Sequence, residues 1–239
     1  MINLTSFAVS RDILRSNMSG LYFKIEQNLF TMAGASSTTL ALIKMTSETD
    51  NIDGDILIPI KSIEQIKKIL KATIDNNIVI KYNNSAIEIQ AGQFVIQSKL
   101  VNERFPDYEQ VIPRENDKVL IVDRNILKAV LKRVGVLANP ISNLVKFDLS
   151  DNKLIVSSED FDTGTQASEI INVDYDSEDI TIGFSSRVIL DAIEHIGFED
   201  VEISMKNTSG ATLIKPCTQP DNQDYMVIAM PLRLVNEGE

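Results

Sequence analysis

The chain has 239 residues, 44% of them apolar, and a near-zero mean hydropathy: enough material for two domains, and too apolar for a disordered chain. No apolar run is long enough to span a bilayer, the amino terminus lacks the basic and apolar regions of a signal peptide, and the single cysteine, Cys217, excludes an internal disulfide. One histidine and no Cys-x-x-Cys pair leave a zinc site short of ligands, so no metal or cofactor is expected, and a reducing cytoplasm is the expected compartment.

In chain order, strand-like alternation marks Leu21–Ile25, Asn28–Met32, Leu40–Met45 and Asp55–Ile60. A helix follows, with Ile63, Ile66, Ile69 and Leu70 at helical spacing, and then strands at Ile78–Tyr82, Ala86–Gln90 and Phe94–Lys99. The second half opens with a strand at Lys118–Asp123 and a helix over 124–136, its stripe formed by Ile126, Leu127, Val130, Leu131 and Val134. Strands then fall at Val145–Leu149, Lys153–Ser157, Gln166–Val173 and Asp179–Phe184. A third helical stripe runs Val188, Ile189, Ala192, Ile193, Ile196, before strands at Val201–Met205, Ala211–Lys215 and Asp224–Met230. Turn chemistry at Asn83-Asn84, Ala91-Gly92, Asp151-Asn152 and Ser209-Gly210 separates them.

The halves repeat. Leu21–Ile25 aligns with Val145–Leu149, and Ile58–Ser62 with Ile182–Ser186, both at an offset of 124 residues. A unit this long closes its own core. The expected fold class is α+β, two repeated domains each built of two βαβββ motifs: residues 1–113 and 114–234, with 235–239 as a tail. Subtracting 124 from the strand at Lys118–Asp123 places its counterpart before Met1. The first domain is therefore expected to lack its opening strand, as in a fragment or a start placed downstream.

The formal net charge of −11 conceals an uneven distribution. Lys61, Lys67, Lys68 and Lys71 on one helix and Arg124, Lys128, Lys132 and Arg133 on another comprise 8 of the 23 basic residues, and those two segments hold 1 of the 34 acids. An acidic body with two cationic helices suits diffuse attraction to phosphate without base readout. No catalytic constellation emerges. His195 is read as a bland helical side chain beside Glu194, and Gly34–Ser37 lacks a phosphate-loop lysine. Asp148, Asp160 and Asp162 lack a calcium-loop spacing, and Asp53-Gly54-Asp55 reads as a turn.

Ser98–Tyr108, containing Arg104-Phe105-Pro106-Asp107-Tyr108 and running on to Val111-Ile112-Pro113, resembles the signature joining the second and third domains of the bacterial DNA polymerase III beta subunit, the replicative sliding clamp. The terminal Met230-Pro231-Leu232-Arg233-Leu234, Ile182-Gly183-Phe184 before a helix, and Gly20–Phe23 are similar to that family's words, and the likeness covers essentially the whole chain. The resemblance implies a DNA-clamp (processivity-fold) architecture with helices on the inner face of a head-to-tail dimer ring and sheets outside. This chain would supply the second and third domains, as a monomer or weak self-associate, with Lys61, Lys67, Lys68, Lys71, Arg124, Lys128, Lys132 and Arg133 facing duplex DNA.

It also implies a groove between those domains for linear motifs of the DNA polymerase III alpha subunit, the clamp loader and repair proteins. By aligned position the groove takes Met18, Ala35, Ser37, Thr38, Thr39, Leu40, Pro106, Gln110, Val111, Ser185, Val188, Ile228, Met230, Pro231, Leu232 and Arg233. Thr39 stands where many members carry arginine, which removes one polar anchor, and the tail after Leu234 extends past the usual terminus. Two other readings are a protein-interaction module that keeps only the groove, and a small α+β enzyme for which the sequence offers no acid–base pair.

Overall fold

The computed structural model describes residues 1–12, 14–46, 53–73 and 77–234; the tail at 235–239 lies outside them. The contacts divide the chain into two units: Met1–Tyr108 with Pro220–Tyr225, and Glu109–Gln219 with the chain from Met226 onward.

The first unit opens with a short helix α1 (Ile2–Thr5) and a single 3₁₀ turn (Ser6–Ala8). Strands β1 (Gly20–Glu26), β2 (Leu29–Ala35), β3 (Thr39–Thr46) and β4 (Gly54–Pro59) form an antiparallel sheet in the order β4-β1-β2-β3. Helix α2 (Ile60–Ala72) follows, then β5 (Ile78–Tyr82), β6 (Ala86–Ala91) and β7 (Phe94–Lys99) in a second sheet. Helix α2 buries Ile63 and Ile66 against strands of both sheets and leaves its lysines off that stripe.

The second unit repeats this order in full. β8 (Lys118–Asp123) leads into α3 (Arg124–Val134), then β9 (Leu144–Ser150), β10 (Lys153–Asp160), β11 (Thr165–Asn172) and β12 (Ile180–Ser185). Helix α4 (Ser186–Glu194) precedes β13 (Asp200–Met205), β14 (Thr212–Pro216) and β15 (Gln223–Ala229). The pairings give one sheet β12-β9-β10-β11 and, on the other side of the core, β15-β14-β13-β8. Phe147 and Phe184 meet edge to face at 5.3 Å at the centre of a core that also holds Leu127, Leu131 and Ile193, all without solvent exposure.

Beyond β8 the repeat keeps the strand order but not a single offset. β1 and β9 differ by 124 residues, and both hairpins turn through two left-handed residues, Gln27-Asn28 (φ 46° and 68°) and Asp151-Asn152 (φ 45° and 59°). That conformation matches the right-handed twist of the flanking strands. β3 and β11, β4 and β12, and the starts of α2 and α4 instead differ by 126. Ala35 opposes Leu40, whereas Glu159 opposes Gln166, so the second hairpin turn is two residues longer. The single-offset alignment of Ile58–Ser62 with Ile182–Ser186 is therefore corrected: Leu57, not Pro59, is the counterpart of Gly183.

Three further local expectations are corrected. Gly54 and Asp55 belong to β4, paired with Ile25 and Lys24, and do not form a turn. The helix expected over 124–136 ends at Val134, followed by a 3₁₀ turn at Gly135–Leu137. His195 lies just past the end of α4, its Nδ1 2.8 Å from the Asp191 carbonyl.

β8 has no counterpart among the described residues of the first unit. Val201, Ile203 and Met205 of β13 are fully buried beside β8. On β5, Ile78 and Ile80 lie opposite buried Ala91 and Ile89 yet remain 45% and 43% exposed.

Candidate functional site

The cationic helices differ in what their charges meet. On α2, Lys61, Lys68 and Lys71 are exposed and make no ion pair among the described residues, while Lys67 Nζ donates to Ser6 Oγ over 3.1 Å. Lys61, Lys68 and Lys71 recur at positions i, i+7 and i+10, one stripe of the helix opposite its buried isoleucines.

α3 is started by Asp123, whose carboxylate accepts from the Ile126 N–H over 2.8 Å. Three of its four cations are engaged. Lys128 Nζ lies 2.7 Å from Glu194 Oε1 on α4. Arg133 forms a two-pronged pair with Glu169 on β11, Nε to Oε1 at 2.7 Å and Nη2 to Oε2 at 2.6 Å. The hydrogen bonds hold the Glu194 and Glu169 carboxyls below their ordinary range and push the Arg133 guanidinium higher. Arg124 Nη1 donates to the Ile196 carbonyl and Nη2 to Asn125 Oδ1. Lys132 alone is exposed with no ion pair among the described residues.

In the first unit the Ser10 N–H is shared between the Met18 and Ala35 carbonyls, at 3.1 and 2.9 Å, which brings the 3₁₀ turn Ser16–Met18 to the end of β2. Ser37 and Thr38 form the exposed tip between β2 and β3, closed by the Ser36 N–H to the Thr39 carbonyl at 2.8 Å. Ala35 and Leu40, which flank that tip, are buried. Thr39 and Pro106 are half-buried.

The Arg-Phe-Pro-Asp-Tyr word has a structural reason that its sequence alone does not disclose. Phe105 stacks on Tyr22 of β1 with ring centroids 4.8 Å apart and planes 8° from parallel, and Tyr108 closes on both rings at 6.2 and 6.4 Å. Burial and the nearby Asp55 carboxylate push the Tyr22 phenol well above its usual range.

In the second unit, Gln110 and Val111 are exposed in a short 3₁₀ turn, and Ser185 and Val188 are half-buried at the start of α4. Ile228 is buried. Met230 is 40% exposed, Pro231 and Leu232 are half-buried, and Arg233 is exposed. The Leu232 N–H donates to the Gly183 carbonyl at 2.8 Å, so the terminal word crosses β12. A Cβ on residue 183 would meet the Leu232 carbonyl oxygen and Leu234 Cδ2 at 2.8 Å each, which explains glycine there. The first unit repeats the device: the Val101 N–H donates to the Leu57 carbonyl at 2.9 Å.

No group of three or more His, Cys, Asp or Glu side chains capable of holding a metal occurs among the described residues. Asp160 accepts from Asn139, Thr163 and the Asp162 N–H, and Asp148 from Thr181, which gives both carboxylates structural partners. No helix among the described residues is long and apolar enough to cross a membrane. Sequence reasoning did not single out the exposed apolar residues Val136 and Leu137 after α3 or Ile170 on the edge strand β11, at 77%, 37% and 65% exposure.

Two α+β units of one topology define a duplicated processivity-fold protein. Residues 1–107 match the DNA polymerase III beta subunit central domain and residues 109–233 match its C-terminal domain. The chain belongs to the DNA polymerase III beta subunit family. It is 27% identical over 235 residues to the beta sliding clamp of Pseudomonas aeruginosa and 25% identical over 234 residues to that of Escherichia coli K12, in each case over 98% of this chain and 63% of the relative. It thus spans under two thirds of the length of the curated relatives it matches. Among solved structures, the DnaN sliding clamp of Pseudomonas aeruginosa bound to griselimycin superposes with a TM-score of 0.91 at 26% identity, covering 98% of this chain and 62% of that one. The DNA polymerase III beta subunit of Thermotoga maritima gives 0.89 at 26% identity, covering 98% and 62%.

Proposed function

We propose that this chain is the central and C-terminal portion of a sliding clamp, a non-catalytic cytoplasmic processivity factor that encircles duplex DNA and docks linear motifs of polymerase, clamp loader and repair proteins. The observation that carries the reading is the segregation of charge. An acidic chain of this family presents exposed lysines on α2 and basic side chains on α3, while Ile63 and Ile66 of α2 and Leu127, Val130, Leu131 and Val134 of α3 are buried. Such a surface attracts phosphate without fixing register, which a sliding contact requires.

Partner binding is assigned to Met18, Ser37, Thr38, Thr39, Pro106, Gln110, Val111, Ser185, Val188, Met230, Pro231, Leu232 and Arg233, with Ala35, Leu40 and Ile228 as buried members of the same set. Exposed Met230 supports this, since a flexible thioether adapts to different partners. Ring closure into a head-to-tail dimer would use open sheet edges. The β11 edge with Ile170, Val136 and Leu137 is the candidate contact on this chain, which by itself is monomeric or weakly associating.

The test is titration of a glutamine-and-hydrophobe clamp-motif peptide against the chain and its Met230→Ala variant, beside duplex DNA at low salt. Peptide binding that weakens in the variant, together with salt-sensitive DNA binding, supports the reading. A second reading, an interaction module without DNA function, is favoured by the pairing of Lys128 and Arg133 with acids. Peptide binding with no DNA affinity at any salt would establish it.

A further inference from the structure

We infer that the phosphate-binding strength of this chain resides on α2, and that α3 is held in reserve by two carboxylates, Glu194 and Glu169, which occupy Lys128 and Arg133. The inference rests on the DNA reading above and divides its eight cations into two groups.

The division follows from what each cation must give up to meet a phosphate. Lys61, Lys68 and Lys71 are exposed and, although Glu64 shares their helix, make no ion pair among the described residues. Lys67 gives up only a neutral hydroxyl, that of Ser6. These lysines are free to replace cations condensed on the DNA phosphates, and release of those cations is the source of affinity for DNA. Lys128 and Arg133 are different. Each sits at 2.6–2.7 Å from a carboxylate, and each pair is close to neutral when seen from a phosphate. To engage DNA, Lys128 must leave Glu194 and Arg133 must leave both oxygens of Glu169. The abandoned carboxylate then stands beside an incoming anion, a like-charge contact that opposes binding.

Arg124 is committed to a third task, donating to the Ile196 carbonyl beyond the end of α4. Among the described residues, Lys132 is left as the single readily available cation of α3, against three lysines without an ion pair on one stripe of α2. The two masking acids come from different elements, α4 and the edge strand β11. Anything that draws Glu169 away along β11 would release Arg133, so the reserve can be mobilised without refolding α3.

The salt dependence of affinity for a labelled blunt duplex of mixed sequence tests this, by fluorescence anisotropy on the full chain. Each phosphate contact contributes about 0.9 to the slope of log K against log salt concentration. The triple variant K61Q/K68Q/K71Q is expected to lose close to three such contributions. The double variant E169Q/E194Q is expected to bind more tightly and to steepen the slope by one to two contributions, about 0.9 each. Adding K128Q/R133Q to that double variant should abolish the gain. The control E103Q/D221N removes the same charge from exposed sites that make no ion pair with α3 among the described residues and should leave the slope unaltered. All substitutions are on exposed or half-exposed side chains, and circular dichroism checks that folding is retained. An acid double variant indistinguishable from the control, or a triple variant that keeps its slope, overturns the inference while leaving the DNA reading standing. Absence of salt-sensitive binding by the unsubstituted chain overturns both.

Discussion

The backbone N–H of Leu232 donates to the carbonyl of Gly183 over 2.8 Å, and this one bond ties the terminal Met-Pro-Leu-Arg-Leu word to strand β12. Two words more than 40 positions apart in sequence are thereby a single structural feature. Leu57 and Val101 make the same bond in the first unit, so the feature belongs to the repeated module rather than to the chain terminus.

Gly183→Ala is expected to disturb that crossing, because the new Cβ meets the Leu232 oxygen and Leu234 Cδ2 at 2.8 Å and Leu144 Cδ1 at 3.0 Å. Overpacking of this kind costs about 1–3 kcal/mol. Urea unfolding should register the loss, and clamp-motif peptide affinity should fall with it. Gly197→Ala, with no heavy atom within 4 Å of the added carbon, should stay within about 0.5 kcal/mol of the parent.

Phe105→Ala removes a ring that is 7% exposed and stacked on Tyr22. A loss of about 3–5 kcal/mol is expected, by transfer and cavity terms together. Phe105→Leu keeps most of the buried volume and forfeits mainly the ring pairing, about 0.5–1.5 kcal/mol. A leucine variant as unstable as the alanine variant would show that shape, not burial, governs this site.

Asp123→Ala deletes the acceptor of the Ile126 N–H at the start of α3. Loss of such a cap costs about 0.5–2 kcal/mol. Amide exchange at Ile126 should accelerate relative to Val130, whereas equal acceleration along the helix would mean that the cap contributes nothing local.

Asp160 accepts from the Asn139 side chain at 3.0 Å and the Thr163 hydroxyl at 2.9 Å, which hold its carboxyl below the ordinary aspartate range. A depressed folded-state value means that its contribution is fully present above the unfolded-state pKa, roughly 3.9, and is lost as pH falls through the lower folded value. The stability gap between the parent and Asp160→Asn should therefore be constant near neutrality and shrink in acid. A gap that widens on acidification would contradict the assignment.

The periodicities that placed α2, α3 and strands such as β9 and β10 were legible because those elements bury one face and leave the other more exposed. Ile63 and Ile66, or Leu127 and Leu131, had to recur at helical spacing to reach a common core. Boundaries were less legible. Gly54 entered β4 because pairing with Ile25 outweighed the turn preference of Asp-Gly, and the two-residue difference between hairpin turns was invisible until the registers were known. The candidate functional residues were named from the aligned words, but sequence did not reveal that Tyr22 receives Phe105.

By itself the sequence determined the duplicated α+β module and the gathering of cations onto two helices, because hydrophobic period and charge placement are properties of neighbours along the chain. Only the tertiary structure decided which cations stay available. Glu194 and Glu169 reach Lys128 and Arg133 from 66 and 36 residues away, and a distance of 2.7 Å between such partners is set by how helices and sheets pack.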